Sequence, residues 1–334
     1  MREELLYKCE LFIKNCDAMK AAFPMENSYL YPVCASVYSN AGKALDGERM
    51  KECRKLMRGA VGMFSNFKGV AELPIAAMIS LDPDMSGRIE RAVEMHAQLR
   101  EHFSGSEYLP VAATVLSGLV EPSKYEDLSA RTKKQYELMK GEHPFLTSSE
   151  DSVFASLLAL SDRPDEEIVR ECEICYEALR EKFNQRNAVQ ALSHVLALSN
   201  DGARSAKDKC RDTMMLFDIL KDKGCKYGTG GELATLGALA MLPCTLDEIA
   251  DDVIAASEYL SEQKGYHGFF GTFDKTQRYM HAAMIVVGER GESYESINAA
   301  AIGGTVALIA AQHAAVCACI AASSAASAAA AASR

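Results

Sequence analysis

An aromatic residue returns along almost the whole chain at the spacing of one helical hairpin. Phe23, Phe67, Phe103, Phe145, Phe183, Tyr227 and Phe273 stand 44, 36, 42, 38, 44 and 46 residues apart. Each precedes an apolar run rich in Ala, Leu and Met. The clearest copy, Leu73-Pro-Ile-Ala-Ala-Met78, recurs 36 residues later as Leu109-Pro-Val-Ala-Ala-Thr114. Such a period is that of paired helices stacked into an array, in which each unit buries its apolar face against its neighbours.

The apolar runs predict short inner helices over 28–40, 71–81, 107–118, 150–160, 187–199, 231–241 and 275–287. Their small side chains let backbones approach closely, which suits a buried layer. Longer amphipathic stretches separate them. Ile89, Val93, His96, Leu99 and Phe103 keep helical spacing, as do Ile168, Cys172, Cys175, Leu179 and Phe183. Their other faces carry charge and meet water. Capping boxes are expected at Ser123 with Glu126, Thr147 with Glu150, and Thr245 with Glu248, each satisfying orphan N–H groups at a helix start. No stretch alternates as a strand would.

The expected fold is therefore all-α: about seven αα-hairpin repeats in a curved solenoid or an α/α-toroid, with a long Ala-rich C-terminal helix. No Gly-, Ser- or Pro-rich linker divides the chain, so 1–334 reads as a single domain. It comprises a lone N-terminal helix (1–22), the hairpin repeats (23–294) and the Ala-rich helix (295–334). After Glu295 no charge appears until Arg334. A charge-free run of that length has to be weighed as a membrane span. Alanine contributes little transfer energy, Gln312 and His313 interrupt the run, and neither flank is basic or aromatic. The expectation is a buried or dimer-forming helix, with any homodimer contact running through 299–330; a frayed Ala-rich end and a membrane span are the lesser alternatives.

Charge narrows the partners. The formal net charge is −10, and without a Lys/Arg stripe that argues against nucleic acid. The 11 cysteines are odd in number and scattered over apolar faces, and the N-terminus reads as an amphipathic helix. Both features fit a reducing cytoplasm rather than a secreted disulfide framework.

Unusual residues collect in the loops ahead of the inner helices, where backbone N–H groups at a helix start can hold an anion. The candidate ligand-binding residues are Lys68, Thr147, Ser149, Glu150, Asp151, Thr229, Glu232, His267, Asp274 and Lys275. The bland reading is that Gly and Ser/Thr shape turns there while the aromatic packs. Gly228-Thr-Gly-Gly231 lacks the preceding strand and following Lys-Ser/Thr of a phosphate loop. Cys172-Glu-Ile-Cys175 has redox or zinc lettering but lies on a core stripe. No cofactor is expected. Zinc, held by His267 and His281 with Cys225 or Cys244, is the alternative.

The run Phe145-Leu-Thr-Ser-Ser-Glu-Asp-Ser-Val-Phe-Ala-Ser-Leu-Leu-Ala-Leu160 resembles a bacterial helical family, domain of unknown function 4003, whose members are similar in length and in their Ala-rich end. That resemblance implies a cytosolic protein and carries over no catalytic residue. A more distant likeness, through Gly265–Gly271, is to α/α-toroid enzymes such as the lanthionine cyclases and prenyl-transfer enzymes. Those cyclases bind zinc through Cys and His. Here only His267 approximates the pattern and no Cys-His pair stands adjacent, so the likeness carries over the architecture and neither the metal nor the activity. The expected function is binding or protein interaction at the loop edge or on the concave surface. The alternative is a toroid enzyme with its site near His267, Asp274 and Lys275.

Overall fold

The structure is a computed structural model that describes residues 1–62, 65–198, 204–266 and 272–295. The Ala-rich segment with its dimer contact, and His267, lie outside the described residues. Those described form fourteen α-helices and no strand.

Long and short helices alternate. The long ones are α1 (Glu3–Ala22), α3 (Gly47–Ala60), α5 (Met85–His102), α7 (Tyr125–Glu142), α9 (Asp165–Leu179), α11 (Ala206–Asp222) and α13 (Leu246–Ser261). Between them run α2 (Leu30–Asn40), α4 (Glu72–Ser80), α6 (Leu109–Leu119), α8 (Asp151–Leu158), α10 (Arg186–Leu198), α12 (Leu233–Ala240) and α14 (Lys275–Glu295). Inner helices are buried nearly all round: every residue of α12 and α8 is buried. Outer helices bury one stripe, as with Ile168, Cys172, Cys175 and Leu179 in α9. Close approach is built in with glycine. A Cβ on Gly237 would lie 2.5 Å from Leu192 Cδ1.

Each outer helix packs more extensively on the inner helix that follows it, across the aromatic loop, than on the inner helix before it. The hairpin is therefore outer-then-inner, and α1, expected to stand alone, is the outer member of the first. Contacts run in a cycle. Each inner helix touches the next, α14 touches α2, and α13 touches α1 in the same way. Arg2 joins the ends: it donates to Asp252 of α13 (Nη2–Oδ2, 2.9 Å) and to Glu289 of α14 (Nη1–Oε1, 3.0 Å). Arg290 also donates to Asp252 at 2.7 Å. Gly288 lies against Asn40, where any Cβ would sit 1.9 Å from its Oδ1.

From α1 to α11, a cation near or just before the start of each outer helix reaches the carbonyls that end the next inner helix. Lys8 donates to Ser39 O, Arg49 to Ser80 O, and Arg88 to Thr114 O, at 2.9, 2.7 and 2.6 Å. Arg131 takes Ala159 O, Ser161 O and Arg163 O; Arg163 takes Ala197 O; Arg204 takes Ala240 O and Met241 O. Inner helix ends are buried, so their orphan carbonyls need such donors.

Local chemistry departs from expectation in three places. Phe145 is 99% exposed. The turn there is closed by His143, which caps α7 and packs 4.2 Å from the Tyr176 ring. Its position, immediately after the outer helix, is the one Phe23 and Phe103 hold. Ser123 caps nothing, because a short 3-10 turn over Pro122–Lys124 leads into α7. Thr147 does not cap α8; its hydroxyl donates to Met139 O. The Thr245–Glu248 box is present, as is a box at Ser205–Asp208.

Replacing Arg131 by Met leaves three partly buried carbonyls and the nearly buried Asp165 without their shared donor. In urea unfolding, Arg131→Met is expected to lose about 2–4 kcal/mol, whereas Glu137→Ala, at a solvent-facing pair with Lys133 on the same helix, leaves the midpoint nearly unchanged. Equal midpoints for the two variants would dismiss the capping role.

Candidate functional site

All the outer-to-inner loops open on the edge where the inner helices begin. Acids stand at those starts: Glu72 is the first residue of α4, Asp151 of α8, Glu232 precedes α12 and Asp274 precedes α14. Their charge complements the positive end of the helix dipole. Asp151 Oδ2 accepts from Ser148 N (2.8 Å), Glu232 Oε1 from Gly230 N (2.7 Å) and Asp274 Oδ1 from Gln277 N (2.8 Å). The N–H groups read from sequence as an anion cradle are thus met, at these three starts, by carboxylates of the chain itself.

The structure brings Thr147 and Asp151 together with two α10 residues that the sequence reading did not single out. Gln190 Nε2 donates to Thr147 Oγ1 at 2.9 Å, and His194 Nδ1 lies 3.8 Å from Asp151 Oδ1. That ring nitrogen has no hydrogen-bond partner among the described residues. Burial pushes the Asp151 carboxyl up to about 7 and, with His143 nearby, pushes the His194 imidazole down to about 3. Glu150 is half-buried and also shifted upward by burial, while Ser149 is exposed. The expected neighbours therefore divide into a buried pair and an exposed turn.

Around α12 the glycine-rich loop packs about a carboxylate. A Cβ on Gly228 would lie 1.8 Å from Glu232 Oε1 and 2.8 Å from Thr276 Cγ2, so that close approach requires glycine. Tyr227 OH and Thr235 Oγ1 are hydrogen-bonded at 2.5 Å. Thr229 is exposed. Lys275 is exposed, with its Nζ 5.8 Å from the Tyr279 ring centroid. His281 is a core residue whose Nδ1 pairs with Tyr266 OH at 2.6 Å; burial pushes it down to about 3 and keeps it neutral. Among the described residues no three of His, Cys, Asp and Glu are placed to hold a metal ion. The nine described cysteines are free, and Cys172 and Cys175 are buried. No helix among the described residues is long and apolar enough to cross a membrane.

Two cavities open on this edge. One, of about 510 Å³, lies where the first and last hairpins meet, walled by Tyr31, Tyr266 and Phe273 with Lys20 at its side. The larger, about 660 Å³, lies between α2, α3 and α4. There Arg58 holds Glu72 in two bonds (Nε–Oε1 2.5 Å, Nη2–Oε2 2.7 Å). Arg54 bridges Glu72 and Glu26, each at 2.7 Å. Burial opposes ionisation of Glu72, but the bonds from Arg58 and Arg54 outweigh it and hold the carboxyl below its ordinary range. Lys68, the one expected residue at this cavity, has no hydrogen-bond or ion-pair partner among the described residues. Arg54 and Arg58 were missed because the overall charge was read as the local one. The signal was present in Arg49, Lys51, Arg54, Lys55 and Arg58, against only Glu48 and Glu52 in the same helix.

Compared with known proteins, the chain matches over residues 15–314 a family model described as "Protein of unknown function (DUF4003)". No curated protein and no solved structure matches it.

The buried Asp151 carboxyl sets a pH dependence with a definite sign. Its value is raised from 3.8, so the fold favours the protonated form. That contribution is complete below about pH 4 and disappears as the pH rises to about 7. His194 works oppositely, its contribution being present above 6.5 and lost as the pH falls toward about 3. Asp151→Asn mimics the protonated acid and leaves His194 in place. Its stability relative to wild type is expected to climb between pH 4 and 7 and stay level above. A pH-independent difference in urea midpoints would refute this assignment.

Proposed function

The chain belongs to DUF4003, a family of unknown function, and from the form of its inner-helix edge we propose that it is a ligand-binding protein rather than an enzyme. The observation that carries this reading is the 660 Å³ cavity between α2, α3 and α4, within the size range of small-molecule sites. The buried carboxyl and imidazole groups that burial shifts support it from the other side, and Cys16, at the wall of the cavity between the end hairpins, is shifted upward by burial and so held as the unreactive thiol. Asp151, His194 and His281 are buried and line neither this cavity nor the one between the end hairpins. Their shifts follow from burial in the packed layer, and none of the three is placed to meet a substrate held in either cavity. A cytoplasmic setting goes with this reading, supported by free cysteines on apolar faces.

Val70 gives a way to test it. The residue lines the cavity yet is 38% exposed, so a larger side chain there blocks the space without disturbing the core. A thermal-shift screen of small molecules should give saturable ligands for the wild type. Val70→Trp should retain its own melting temperature and lose those responses. Ligands that stabilise both proteins equally would place binding elsewhere.

A further inference from the structure

We propose that this cavity takes a small ligand carrying two or more anionic groups of the phosphate or carboxylate class, seated between Lys68, Lys55 and the outward N–H groups of Arg54 and Arg58. The inference rests on the reading of the cavity as the ligand site and adds the chemistry of what enters it. A third cavity, of about 390 Å³, adjoins the 660 Å³ one at α3 and shares Arg54 and Arg58 with it. Together the two are lined by five cationic side chains (Lys51, Arg54, Lys55, Arg58 and Lys68) against two carboxylates. Both carboxylates are already engaged: Glu72 is 3% exposed and held by both arginines, and Glu26 is held by Arg54.

This arrangement is built rather than incidental. A guanidinium pinned on one edge by a buried carboxylate presents its remaining N–H groups in a fixed direction. Arg54 is held further by Phe23, whose ring centroid lies 5.8 Å from its Cζ. Arg58 keeps half of its side chain exposed while both its bonds to Glu72 are made. Lys55 is exposed and, like Lys68, has no hydrogen-bond or ion-pair partner among the described residues. Two held guanidinium groups flanked by two unengaged ammonium groups match two anionic groups of one ligand. A neutral ligand would leave the ammonium groups unused, and a cation would meet like charge. A chain with a net charge of −10 repels anions elsewhere on its surface, which confines them to this local excess.

The test uses the full chain, with inorganic pyrophosphate and citrate as anionic probes and sorbitol and spermidine as neutral and cationic controls. Binding is followed by calorimetry at constant ionic strength. Pyrophosphate, citrate or both should bind one to one, weaken as salt is raised, and lose about tenfold in affinity in each of Lys68→Ala and Lys55→Ala. Both substitutions are on solvent-accessible side chains, and unchanged circular dichroism would show that the fold is kept. Val70→Trp should abolish the binding. A preference for one anion over the other identifies the class. Sorbitol or spermidine binding that Val70→Trp blocks, without anion binding, overturns the anion assignment and leaves the cavity reading intact. Anion binding that neither lysine substitution weakens also overturns the assignment. Anion binding that the lysine variants weaken but Val70→Trp does not would place the anion on the outer groove alone and overturn the shared seat. No binding by any probe, with library ligands indifferent to Val70→Trp, overturns both.

Discussion

The fold depends on burying the C-terminal ends of short inner helices, which leaves several backbone carbonyls of each without an intrahelical partner. Water cannot reach them, since Ser80, Ser117 and Ala240 are at most 3% exposed. In the first six hairpins the chain meets this with a cation delivered from near the start of the outer helix to the far end of the inner helix after it. Arg131 alone serves three carbonyls and also Asp165. Since those carbonyls carry the negative end of the helix dipole, the bonds are charge-assisted and stronger than neutral ones. Register between outer and inner layers is thereby fixed hairpin by hairpin, and apolar packing supplies the bulk of the burial around it.

The same polarity shapes the opposite edge. Inner helices present their positive ends there, and the chain places Glu72, Asp151, Glu232 and Asp274 against them. Three of these acids take up backbone N–H groups directly. Glu72 instead faces α3, where burial of its charge is sustained by Arg58 and Arg54. At Asp151 no cation arrives, because His194 is itself held neutral by burial. Two acids in equivalent positions thus sit on opposite sides of their ordinary range, one lowered by arginine and one raised by burial. The difference lies in what the neighbouring outer helix supplies.

Sequence periodicity reached the helices well and their partners poorly. The inner helices expected over 71–81, 150–160 and 231–241 are found at Glu72–Ser80, Asp151–Leu158 and Leu233–Ala240, because an uninterrupted apolar run bounded by turn residues leaves little else for it to be. Hairpin phase was not legible, since periodicity cannot tell whether a long helix packs on the inner helix before or after it. The aromatic marker failed at Phe145 because His143 fills the turn there, and a histidine carries no hydrophobic signal. The capping arginines were invisible for another reason. Arg131 and Ala159 are bonded across 28 residues, and an arginine on an amphipathic helix looks like any solvated charge. At the candidate site Lys68 was reached as a loop residue, but Arg54 and Arg58 lie in mid-helix and belong to the site only through α4.

Capping also separates structural charge on α3 from the remainder. Capping takes one cation at the start of each outer helix from α1 to α11, and α3 meets that with Arg49, bonded to Ser80 O and Asp82 O. In α7, Lys133 pairs with Glu137, Lys134 with Asp165 and Glu166 of the next outer helix, and Lys140 lies over the Tyr136 ring. In α3, Arg54 and Arg58 turn toward Glu72 at the start of α4, the end that capping does not serve. Lys55 lies beside them with no carboxylate to meet, and Lys68 joins from the loop. Packing alone would be satisfied by an apolar contact at a buried Glu72, since two ion pairs at a cavity wall carry a desolvation cost that a hydrophobic residue avoids. A carboxylate retained there orients two arginines toward the open space. That is the physical reason for placing the protein's recognition chemistry at this cavity rather than at the closed, self-satisfied starts of the other inner helices.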